Sequence, residues 1–141
     1  MADEITVRVS IRVSKGTLYH QSNPTAFTAD MAGTGGPSPG TIVATTAGTD
    51  VYFTGLTEPG VCTMQNYDPD NFVQVGIYEP TGAVFYPMLE ILPGEIWPMR
   101  LSRNLFEQYS GSGTGTSPQE NKLRIKADVA SCKVQVNAFD R

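Results

Sequence analysis

The feature that most constrains this chain is an alternation of apolar and polar residues with a period of two. It is clearest at the start, where Ile5, Val7, Val9, Ile11 and Val13 interleave with Thr6, Arg8, Ser10, Arg12 and Ser14. Successive side chains of a strand point to opposite faces, so this spacing predicts a half-buried strand with a basic polar face. The same period recurs at Val73, Val75 and Ile77, at Leu123, Ile125 and Ala127, and at Cys132, Val134, Val136 and Ala138. Each of these sets is expected to face a core.

Turn formers divide the alternating runs. Lys15-Gly16 ends the first, and Asn23-Pro24 follows a short extended piece at Thr17–Gln21. Thr25–Met31 alternates weakly, and Ala32–Gly40, with four Gly and two Pro, reads as a long loop. Thr41–Thr46 and Asp50–Thr54 read as strands, Glu58-Pro59-Gly60 as a turn, and Val61–Asn66 as the next strand. Asp68-Pro69-Asp70-Asn71 suits a type I turn. Glu79-Pro80-Thr81-Gly82 joins Phe72–Tyr78 to Ala83–Met88 as a hairpin. After a short Leu89–Leu92, Glu95–Leu101 is extended, with Pro98 confining it to an edge or a bulge. Ser102–Tyr109 alone has a helical pattern, and Ser110–Ser117 reads as a flexible loop.

About nine or ten short strands with almost no helix predict an all-β chain, a single antiparallel β-sandwich of jelly-roll type over residues 1–141. The first strand poses a geometric problem. Eleven residues at ~3.3 Å each span about 36 Å, against a radius of gyration near 14 Å for a compact chain of this length. Either it bends at a bulge, or residues 1–15 reach out as an arm that pairs with a neighbour.

Composition narrows the partners. Ten Lys and Arg against fourteen Asp and Glu leave a net charge of −4, without a cationic cluster, so nucleic acid is not an expected partner. No window approaches the ~20 apolar residues of a membrane span, and the opening MADEITVRVS lacks the cationic and apolar regions of a signal peptide. The expectation is a cytosolic product that begins near Met1. Cys62 and Cys132 lie far apart in sequence and are expected to be buried free thiols.

Catalytic patterns are sparse. The single histidine, His20, lacks a neighbouring nucleophile and orienting acid, and reads as an ordinary polar residue. One His and two distant Cys do not make a zinc site. Glu58, Asp68 and Asp70 are the best cation-binding candidates, but Pro69 interrupts the pattern of a calcium loop, and turn capping accounts for these residues. The Gly-rich stretches at 33–36 and 111–115 lack the lysine and following helix of a phosphate cradle. No cofactor is expected. Tyr78, Phe85, Tyr86 and Trp97 fit either a sugar-stacking platform or core and subunit-interface anchors, and the second reading is favoured. Phe72–Tyr78 and Ala83–Met88 are apolar on both sides, which calls for cover by another subunit.

Over its whole length the chain resembles the small β-sandwich virion proteins of tailed bacteriophages, above all capsid cement or decoration proteins. The resemblance runs through MADEITVRVSIRVSKG, AGTGGPSPGTIVATTAGTDV, QNYDPDNFVQVGIYEPTGAVFYPMLEILPGEIWPMRLSR and LRIKADVASCKVQVNAF. It is one of length, strand order and phrasing, and carries over no catalytic or ligand residue. It implies a non-enzymatic protein made in the host bacterial cytoplasm that binds the outside of an icosahedral shell. Its partners would be the major capsid protein and itself, typically as a homotrimer near local threefold axes, with Arg8 and Arg12 as candidate contacts to an acidic capsid surface. A tail- or fibre-associated carbohydrate-binding module, a head–tail connector or tail component, and lastly a hydrolase remain as alternatives.

Overall fold

The computed structural model describes residues 3–102, 105 and 120–141. Every regular element among them is a strand. The helical pattern at Ser102–Tyr109 and the loop at Ser110–Ser117 fall almost entirely outside the described residues. By its internal contacts the chain divides into two compact units, Met1–Ala32 and Gly33–Arg141.

The first unit is a hairpin. β1 (Ile5–Val9) pairs with β4 (Thr25–Ala29), and β2 (Arg12–Lys15) pairs with β3 (Leu18–Gln21). At the tip a two-residue turn joins Lys15 to Leu18, and Gly16 (φ 58°) supplies the positive φ that its first central position needs. Midway, Ile11 N–H donates to Ser22 Oγ at 2.8 Å and Ser22 N–H donates to the Ile11 carbonyl at 2.9 Å. One residue separates Val9 from Ile11, whereas Asn23 and Pro24 separate Ser22 from Thr25, so the returning side holds a one-residue bulge. The single long strand expected over Ile5–Val13 is thus two strands. It is also less buried than its alternation implies: β2 is exposed throughout, and Val9, Ile11 and Val13 are at least 40% exposed. Two strands alone have no second layer to cover an apolar face.

The second unit is a β-sandwich. One antiparallel sheet has the order β10-β7-β12-β5 and the other β6-β11-β8-β9. The strands are β5 (Ser38–Ala44), β6 (Thr49–Val51), β7 (Pro59–Asn66), β8 (Val73–Glu79), β9 (Val84–Ile91), β10 (Ile96–Arg100), β11 (Lys122–Ala127) and β12 (Cys132–Asp140). Partners nest about the β8–β9 hairpin: β12 pairs with β5, β11 pairs with β6, and β10 pairs with β7.

The core is the inward parity of these strands. Val73 and Val75, Leu123, Ile125 and Ala127, and Cys132, Val134, Val136 and Ala138 are all buried, as their spacing requires. Phe53, Met64 and Ile91 are its largest fully buried apolar side chains. Pro98 sits in edge strand β10, where its missing N–H is tolerated. Several boundaries differ from expectation. β5 begins at Ser38, inside the stretch Ala32–Gly40 expected as a loop, and the strand expected over Asp50–Thr54 is confined to Thr49–Val51. Pro59-Gly60 opens β7 instead of forming a turn, and Ala83–Met88 and Leu89–Leu92 merge into one eight-residue β9. A bulge between Val75 and Gly76 lets β9 continue by shifting its register.

Candidate interaction surface

Edge strands β9 and β10 follow one another through the Pro93-Gly94 turn, and each ends its own sheet. Glu95 organises the turn: its Oε2 accepts the Leu92 N–H at 3.0 Å and the Trp97 Nε1–H at 3.1 Å. Those donors, the Leu92 N–H first, hold the Glu95 carboxyl below the usual carboxylate range.

Register shows which side chains line the flank. Trp97 and Met99 pair with buried Met64 and Cys62, so they lie on the core face of their sheet. Leu89 pairs with buried Val75 and therefore lies on the core face of the other. Yet Trp97 remains 46% exposed and Leu89 44%. Inward parity thus fails to bury the edge strands, and among the described residues nothing closes the sandwich along this side. One cleft of about 250 Å³ is lined by Leu89, Glu90, Trp97, Pro98 and Met99. A second of similar volume shares Leu89 and Met99 and reaches Val75, Ile77, Met88 and Leu123. Shared lining by Leu89 and Met99 joins the two clefts into one apolar seam, to which Met88, Leu89 and Trp97 contribute exposed side chains.

The aromatic candidates do not form one platform. Tyr78 pairs with Phe85 on the outer face of their sheet, Tyr86 takes the opposite parity beside Ile77, and Trp97 belongs to the other sheet. The Tyr78 ring is also occupied, since the Arg124 guanidinium lies 3.2 Å from its centroid while Arg124 Nε donates to Asp50 Oδ1 at 2.5 Å. Burial opposes the Arg124 charge, but Asp50 and Tyr78 outweigh it and its pKa is raised. This cluster fastens β6, β11 and β8 together.

Arg8 and Arg12 lie on the hairpin, opposite Ala26 and Gln21, with the Arg12 guanidinium 5.8 Å from the Tyr19 ring centroid. Between Ile5 and Ala29 the only formal charges are Arg8, Arg12 and Lys15. His20 stands opposite Val13 and is exposed. Asp68 turns its Oδ1 onto the N–H groups of Asp70 (2.9 Å) and Asn71 (2.7 Å), a capping arrangement. Among the described residues no three His, Cys, Asp or Glu side chains gather as a metal site.

Sequence reasoning singled out Trp97 but not Met88, Leu89 and Met99, which line the two clefts. Their parity was readable; which strands become edges was not. No known protein family, curated protein or solved structure matches the chain.

Proposed function

We propose that this chain is a non-enzymatic structural protein of a tailed-bacteriophage virion, one that binds the outer surface of the capsid and stabilises the shell. The reading carries forward the sequence resemblance, and one observation supports it most. A largely exposed two-stranded hairpin and an apolar seam leave large hydrophobic side chains uncovered, among them Phe27, Met88, Leu89 and Trp97. Self-association, as a homotrimer, and docking on the major capsid protein would cover it. The nested strand pairing of the sandwich favours the jelly-roll form of the fold.

A ligand that binds only the expanded lattice stabilises that lattice by mass action. Several copies joined together would multiply weak contacts through effective concentration. Arg8 and Arg12 would supply polar contacts to an acidic shell. The carbohydrate-binding alternative ranks lower because Arg124 already covers the Tyr78 ring, while Tyr86 lies on the opposite face of that sheet and Trp97 on the other sheet. Co-sedimentation of purified protein with mature and immature capsids tests the proposal, together with the mass of the free oligomer. Binding to expanded heads is expected; a monomer that ignores them overturns the reading.

A further inference from the structure

We infer that the leading edge of the hairpin, Ile5 to Lys15, pairs antiparallel with the same edge of a second copy, about a twofold axis at Val9. The inference goes beyond the shell-binding proposal and does not depend on it. A twofold contact joins copies one to one, in addition to any threefold association elsewhere on the surface.

A strand that ends a sheet offers unpaired N–H and C=O groups, and proteins blunt such edges with proline, bulges or short strands. Each end strand of the sandwich carries one of these devices. Pro39 lies in β5, Pro87 in β9 and Pro98 in β10, and β6 has only three residues. The returning side of the hairpin is interrupted by the bulge at Asn23-Pro24. The leading side differs. It runs from Ile5 to Lys15 without proline or bulge, and among the described residues it has strand partners on one side only. Ile11 turns its N–H and carbonyl inward onto Ser22, so by alternation the backbone groups of Arg8, Ser10 and Arg12 point outward. A two-stranded hairpin is marginal in water, and three or more strands with an apolar face are needed for independent stability. Among the described edges, the one left open to supply those strands is the same edge of a second copy.

Charge selects the register. The unit Met1–Ala32 is neutral, yet along the leading strand its charges are segregated, with Asp3 and Glu4 at one end, Lys15 at the other, and Arg8 and Arg12 between. Asp30 lies on the returning side. Such a polarity complements itself when two copies run antiparallel. With Val9 opposite Val9, Lys15 meets Asp3, Arg12 meets Thr6 with Glu4 on the diagonal, and Arg8 meets Ser10. Ile5 then faces Val13, and Val7 faces Ile11. An axis at Ser10 would instead oppose Arg8 and Arg12, and an axis at Arg8 would oppose that residue to itself, both of which like charges disfavour. An axis between two residues would set apolar side chains of one copy beside the polar face of the other.

The test uses full-length protein. Val9→Cys sets two thiols across the axis at a spacing a disulfide can bridge. With oxidised glutathione it should form a covalent dimer on a non-reducing gel, whereas Ser10→Cys, whose partner is Arg8, should not. Analytical ultracentrifugation then compares wild type with Asp3→Lys, Lys15→Asp and the double variant. Each single reversal should weaken association about fivefold, because two cross-strand pairs turn from attractive to repulsive, and the double variant should restore it. Ser10→Pro removes an outward donor and should prevent pairing; the exposed charge reversals keep the test decisive if that proline disturbs the hairpin. Absence of a Val9→Cys dimer, equal linkage through Ser10→Cys, or reversals that leave association unchanged overturns the inference. Monomeric wild-type protein that still sediments with mature capsids overturns it while sparing the shell-binding proposal. Paired protein that ignores capsids supports the pairing while the shell-binding proposal fails.

Discussion

The Asp140 carboxylate, on the last strand, accepts the backbone N–H of Thr57 at 2.7 Å, joining the C-terminal end of the chain to a turn 83 positions earlier. The same oxygen accepts the Glu58 N–H at 3.1 Å, and Asp140 is only 4% exposed. Its second oxygen lies 2.5 Å from the place a Cβ would occupy at Gly35. Arg141 adds to the junction by donating from Nη2 to the carbonyls of Pro59 (2.9 Å) and Leu101 (3.0 Å).

Asp140→Ala should therefore be costly. It strands two N–H groups that now share a charged acceptor, a loss of about 3 kcal/mol in unfolding free energy. Asp140→Asn keeps one acceptor oxygen and should lose less. Urea denaturation of the three proteins checks this order.

Gly76 sits at the bulge that realigns β9. A Cβ there would lie 2.8 Å from Pro87 Cα and closer still to the Tyr86 carbonyl oxygen, both backbone atoms. Gly76→Ala should cost about 2 kcal/mol or more through overpacking. Gly40 has open space around it but φ of +88°, so Gly40→Ala should cost only about 1 kcal/mol of backbone strain. Thermal unfolding of both variants distinguishes a clash from a conformational penalty.

Cys62 and Cys132 are free and fully buried in the core. Burial pushes the Cys62 thiol up to about 12 and, with lesser help from Asp68 and Asp128, raises that of Cys132. Because the thiolate is the reacting species, a thiol reagent at pH 8 should label neither cysteine in the native protein. Both should react after denaturation without reductant, as a two-label mass increase reads out.

Asp68 gives a pH dependence with a definite sign. The N–H groups of Asn71 and then Asp70 hold its carboxyl below the ordinary value. Its contribution is complete above a pH of about 4, the unfolded value, and disappears as pH falls through the lowered native value. The stability gap between wild type and Asp68→Asn should accordingly be larger at pH 6 than at pH 2.5, in denaturation curves at both pH values.

The sequence by itself determined which side of most sandwich strands faces inward. Parity along a strand is local backbone geometry, so the inward sets at 123–127 and 132–138 follow from the spacing alone, and Pro98 announces an edge through its missing donor. Only the tertiary structure decided which strand lies beside which. That choice depends on closing long loops and on packing between residues far apart in the chain. It is why the pairing of β12 with both β5 and β7 was not readable, nor the reach of Asp140 to Thr57. The seam belongs to the same class: Leu89 and Trp97 have the alternation of core residues, and they are half exposed because their strands end their sheets. The hairpin shows the limit most directly, since perfect alternation at Ile5–Val13 specifies an apolar face but not what covers it.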